Sequence, residues 1–69
     1  MEKYIRTEGT VVNIHGERHY GVKTPIGKVV HGFVERRDRD LLPGLGERVD
    51  LQFKPENMGL ARITGIVGR

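Results

Sequence analysis

Arg18-His19-Tyr20-Gly21-Val22-Lys23-Thr24-Pro25-Ile26-Gly27-Lys28-Val29-Val30-His31-Gly32-Phe33-Val34 reads as two β-strands joined by a tight turn. Pro25 fixes φ, and Gly27 takes the left-handed conformation that closes a three-residue loop between Thr24 and Lys28. With Thr24 opposite Lys28, Val22 faces Val30, Gly21 faces His31 and His19 faces Phe33. Side chains alternate along a strand, so Tyr20, Val22, Val30 and Val34 share one face and belong to a core. His19, Gly21, Lys23, Val29, His31 and Phe33 share the other. That second face holds an aromatic ring, two imidazoles and a cation, with Gly21 leaving room for a flat ring. Such a composition suits a stacking platform for nucleic-acid bases.

Strand-like runs recur on both sides of this hairpin. Tyr4 to Ile14 is rich in β-branched residues, with Gly9 as an expected bulge or bend. Arg48 to Phe53 alternates, turning Val49, Leu51 and Phe53 inward and Asp50 and Gln52 to solvent. Leu60 to Val67 is a further strand whose inward face the pattern leaves open. His15-Gly16-Glu17 joins the first two strands, and Pro55-Glu56-Asn57-Met58-Gly59 the last two, with Asn57 and Gly59 suited to positive φ. Between Val34 and Gly46, alternating charges followed by Leu41 and Leu42 predict one or two helical turns ended by Pro43-Gly44. The order of elements is that of the OB-fold, an all-β five-stranded Greek-key barrel with a short helical turn between strands three and four. Such closure leaves few exposed edges.

The 69 residues are expected to form a single OB-fold domain, 1–69. A chain this short buries only about 60% of its unfolded surface, so the core must be compact. With no cysteine, disulfide frameworks and cysteine-based zinc sites are excluded. Apolar side chains never run more than two in a row, so neither a signal peptide nor a transmembrane helix is expected, and the expected location is cytoplasmic. The formal charge is +3, which by itself speaks to solubility and weak attraction. Glu35-Arg36-Arg37-Asp38-Arg39-Asp40 cancels itself. The surplus comes from Lys23, Lys28, Lys54, Arg62 and Arg69 set against Asp50 and Glu56. The chain has no serine, no phosphate-cradling glycine-rich strand-to-helix motif and no buried-looking carboxylate pair, so no enzymatic activity and no cofactor are expected. Two histidines on adjacent strands lack an obvious third ligand, so no metal is expected.

Two blocks carry a resemblance to a known family. Gly9-Thr10-Val11 resembles the GTV start of bacterial translation initiation factor one, in the S1-type branch of OB-fold RNA-binding domains. Gly27-Lys28-Val29-Val30-His31-Gly32-Phe33-Val34 resembles its GxVVxAHI turn and strand. The second block, GERVDLQFKPENMGLARI from Gly46 to Ile63, resembles the family's GDRVTVELSPYDLSKGRI. The chain departs from the family where a basic SGKMRKNYIRI segment becomes ERRDRDLL, where the His of AHI becomes Phe33, and where Lys-Gly becomes Leu60-Ala61. Arg62 matches the family's arginine. Cold-shock domains are the nearest competitor, since Tyr20-Gly21-Val22 and Val30-His31 are similar to their strand motifs. Val22 replaces their second exposed aromatic, however, and their strand-one Trp is absent. The resemblance implies an RNA-binding barrel, a divergent member, with the small ribosomal subunit as partner.

The candidate binding residues follow from both readings. Phe33 stacks a base, or else packs under the Arg36–Leu42 segment. His19 and His31 stack or hydrogen-bond to bases or 2′-hydroxyls. Tyr20 is a further ring candidate, although it shares the core face with Val22. Lys23, Lys28 and Arg62 are placed for phosphates. Arg36 and Arg37 add phosphate contacts, or pair with Glu35, Asp38 and Asp40 as surface ion pairs. The expected partner of this monomer is single-stranded RNA, ribosomal RNA by resemblance, or single-stranded DNA, bound with low sequence specificity. The alternatives are a cold-shock-like single-strand chaperone and a protein-interaction module.

Overall fold

The computed structural model describes residues 4–38 and 40–68, so the expectations for Arg39 and Arg69 lie outside the described residues. Five strands, β1 (Ile5–Gly16), β2 (His19–Lys23), β3 (Val29–Phe33), β4 (Arg48–Lys54) and β5 (Asn57–Ile66), close into a barrel in the order β1-β2-β3-β5-β4. All pairings are antiparallel except β3 with β5. Among the described residues a single 3₁₀ turn, Arg36–Asp38, lies between β3 and β4. This is the OB-fold that the element order predicts. No helix among the described residues is long and apolar enough to cross a membrane.

The central hairpin has the expected register, with Val22 opposite Val30, Gly21 opposite His31 and His19 opposite Phe33. Its turn is closed by the Thr24 N–H donating to the Lys28 carbonyl at 2.8 Å and the Gly27 N–H to the Thr24 carbonyl at 2.9 Å. The Thr24 hydroxyl donates to the same Lys28 carbonyl at 2.9 Å. Gly27 takes φ 86°, the left-handed region that a side chain disfavours. Inside the barrel, Val11, Tyr20, Val22 and Val30 meet Val49, Leu51 and Phe53 of β4 and Ala61 and Ile63 of β5. The inward face of β5 is therefore the alternate set beginning at Ala61. Past Ile63 the register shifts against β4, and Ile66 packs against the core.

Three local expectations are corrected. Gly9 is no bulge: β1 pairs regularly with β4 from Ile5 to Thr10, with Gly9 opposite Val49. The irregularities fall later, at Val12 and His15, each an extra residue against β2. Gly9 is instead a point of close approach, where a Cβ would stand 2.5 Å from Val22 Cγ1 and 3.0 Å from the Lys23 carbonyl oxygen. The first turn is Glu17-Arg18, because β1 runs on through His15 and Gly16; Arg18 itself takes φ 63°. The last turn is Pro55-Glu56. Asn57 already pairs with Lys54, and neither Asn57 nor Gly59 takes a positive φ. Proline at the first turn position supplies the preset φ that makes glycine unnecessary there.

Gly9→Ala should destabilise the fold by about 1–3 kcal/mol through overpacking. Chemical denaturation should show Gly9→Ala with Val22→Ala less destabilised than the two single losses added, by about 0.5 kcal/mol or more, since the residues touch.

Candidate nucleic-acid interface

The outer face of β2 and β3 carries a row of imidazoles. His19 Nδ1 lies 3.0 Å from His31 Nε2, so one nitrogen donates and the other accepts, as the tautomers dictate. The rings are 5.2 Å apart between centroids and tilted by 43°. His15 reaches His31 from the other side, nearly parallel at 8° with centroids 6.2 Å apart. All three histidines of the chain therefore stand together, in the order His15, His31, His19.

His15 is the residue that sequence reasoning misses, because the pattern places it in the turn. The extra residue in β1 between Ile14 and Gly16 carries it to the barrel surface beside β2. Gly21 lets it cross: a Cβ at Gly21 would stand 3.2 Å from His15 Nε2 and 3.1 Å from Asn13 Cβ. The space expected at Gly21 for a ligand ring is thus filled by the chain's own imidazole. No group of three or more His, Cys, Asp or Glu among the described residues is arranged to hold a metal ion.

Phe33 sits at the end of β3, opposite His19 on one side and Arg62 of β5 on the other. It is half-buried, and clefts open on both sides of it. The first cleft brings together Arg18, His19, His31 and Arg36 with Phe33 and Leu60. Phe33 therefore keeps an accessible surface rather than disappearing beneath the following segment. Tyr20 does disappear. At 4% exposure its ring belongs to the barrel core with Val22, which removes it from the candidate binding face.

The cations divide into matched and unmatched. Arg62 Nη2 donates to Asp38 Oδ2 at 2.9 Å, and its buried Nε lies 3.6 Å from Glu35 Oε1, too long for a hydrogen bond. With its side chain only 26% exposed, Arg62 is a clamp that ties the 3₁₀ turn to β5. Arg37 faces Glu35 at 3.5 Å. The acids of the charged segment thus serve Arg62 as much as the neighbouring arginines. Arg36 is exposed and makes no ion pair among the described residues, and neither do Lys23 and Lys28. Lys23 is four residues along β2 from His19, or about 13 Å at about 3.3 Å per residue. Lys28 lines a different, largely apolar cleft with Ile5, Ile26 and Met58. Arg18 is a further cation that the sequence pattern does not single out; the two-residue turn at Glu17-Arg18 puts it against the His19–Phe33 end.

Arg62→Ala should loosen the 3₁₀ turn while the barrel persists. Hydrogen exchange at Asp38 and Leu41, whose N–H groups donate to the carbonyls of Glu35 and Asp38, should speed up roughly fivefold, the size of an ion-pair contribution of about 1 kcal/mol.

No protein-family model and no curated protein sequence matches the chain. Solved structures do. The solution structure of translation initiation factor one from the Wolbachia endosymbiont strain TRS of Brugia malayi superposes with a TM-score of 0.73 at 20% identity, covering 90% of this chain and 76% of that one. The crystal structure of YjeQ from Thermotoga maritima gives a TM-score of 0.71 at 24% identity, covering 94% of this chain and 23% of that one. Both likenesses are of fold, and both match nearly the whole barrel.

Proposed function

We propose that this chain is a monomeric, cytoplasmic OB-fold module that binds single-stranded RNA with low sequence specificity, at the small ribosomal subunit. The observation that supports it is the row of three imidazoles running into Phe33 on the outer face of β2 and β3. Stacking on such rings is sequence-tolerant, because every base has a π-face, and contributes about 1–3 kcal/mol per base. The imidazole nitrogens offer both donors and acceptors, which suits a 2′-hydroxyl and favours RNA over single-stranded DNA. Arg18 and Arg36 flank the same cleft for phosphates. The ribosomal assignment draws on the sequence resemblance to initiation factor one and on the likeness in fold to an initiation factor. A second reading, a protein-interaction module, is favoured by the exposed apolar end of the barrel, where Ile26 is 87% exposed beside Ile5 and Met58.

Fluorescence anisotropy with a short labelled RNA tests the reading. Phe33→Ala should weaken binding by about 1–3 kcal/mol with thermal stability retained; undiminished binding would contradict it. Arg18→Gly, which suits the positive φ, and Arg36→Ala should each flatten the plot of log affinity against log salt by about 0.7 per lost phosphate contact. Arg37→Ala, already matched by Glu35, should leave the slope nearly unchanged.

A further inference from the structure

We infer that the cleft on the far side of Phe33, running towards Tyr4, is a nucleobase subsite in which the side-chain amides of Gln52 and Asn57 read the edge of the base. The inference rests on the single-stranded RNA reading above and adds to it a position with base preference.

The cleft has a volume of about 420 Å³, with Phe33 and Tyr4 among its walls and Gln52, Lys54, Asn57 and Arg62 between them. The barrel register explains the grouping. Phe33 of β3 is opposite Arg62 of β5, which is opposite Gln52 of β4; Lys54 and Asn57 pair at the adjoining end of the same two strands. Two strand spacings, about 10 Å, separate the backbones at Phe33 and Gln52. Arg62 fills the middle as a fixed floor, held by Asp38 and Glu35.

The amides give this cleft a chemistry that the imidazole row lacks. A primary amide carries an acceptor oxygen beside two N–H donors, the complement of the adjacent donor and acceptor on the edge of a base. Neither Gln52 nor Asn57 makes a side-chain hydrogen bond among the described residues. Gln52 is moreover half-buried, and its amide has no hydrogen-bond partner among the described residues, so a ligand edge entering the cleft has both its donors and its acceptor open to it. Lys54 is exposed at the rim and makes no ion pair among the described residues, which leaves it available to a phosphate. A ring wall, unpartnered amides and a cation together suit one nucleotide. Phe33 and Leu60 line both this cleft and the one beside the histidines. A strand stacked on His31 and Phe33 therefore reaches the amides without leaving the surface.

The test is fluorescence anisotropy with a set of short single-stranded RNAs in which one position at a time is A, C, G, U or abasic. The parent protein should prefer one base at one position by about fivefold or more, and lose about tenfold when that position is abasic. Gln52→Met and Asn57→Ala should each level that preference to within about twofold, bringing the favoured RNA down to the affinity of the others. Thermal unfolding checks each variant. Should Gln52→Met not fold, Asn57→Ala at the exposed start of β5 and the abasic series on the parent decide alone. If the parent binds RNA and Phe33→Ala weakens it, yet every base and the abasic site bind alike, the subsite is overturned while the general RNA reading stands. A base preference that survives both amide variants overturns it equally. If the parent binds none of the RNAs, or binds an acidic peptide at this cleft instead, both readings fall.

Discussion

The short parallel pairing of β3 with β5 is the constraint on which the rest of the structure depends. It joins His31 to Leu60, Gly32 to Ala61 and Phe33 to Arg62, and it closes the barrel. Its centre needs two small residues. A Cβ at Gly32 would stand 2.8 Å from Val22 Cγ2 and 3.2 Å from Ile63 Cδ1, and Ala61 is fully buried. The same glycine that lets Val22 and Ile63 fill the interior thus lets β3 approach β5. Without that junction the barrel would open into one sheet, β3-β2-β1-β4-β5, with β3 and β5 as its exposed edges and Phe33 and Arg62 at opposite ends of it.

Closure also builds the candidate binding face. Residues far apart in sequence become a belt running from His19 through Phe33 and Arg62 to Gln52. Phe33 is the hinge of that belt, with rings on one side and amides on the other. Arg62, beside it, is held by two carboxylates of the charged segment. A run of alternating charges whose acids would oppose a polyanion is accordingly in part a fastening for β5, while Arg36 remains turned outward. The electrostatic question at this surface is therefore which cations are already matched, more than how many there are.

The hairpin was legible because strand alternation and a proline–glycine turn fix register without outside help, so His19, His31 and Phe33 could be placed by counting. β4 was legible for the same reason. What escaped was everything that adds a residue or crosses the barrel. His15 joins the row only because β1 carries an extra residue against β2, and alternation cannot announce a bulge. Gly9 reads as a bulge or bend because glycine in a strand often marks one, whereas there is no bulge there and the Val22 side chain reaching in from β2 leaves no space for a Cβ. The face of β5, the cleft around Gln52 and the clamp on Arg62 all depend on strands that meet only after closure. The resemblance to initiation factor one was read from two blocks of sequence; the likeness to the solved initiation factor, at 20% identity over 90% of the chain, is one of fold.

Backbone amide chemical-shift mapping of the parent protein with a short single-stranded RNA tests the account most directly. The account predicts that the largest shifts fall at His15, His19, Gly21, His31 and Phe33 and continue across Leu60 and Arg62 to Gln52. Shifts confined to the apolar end around Ile5, Ile26 and Met58, or no shifts at RNA concentrations that saturate ordinary single-strand binders, would contradict it.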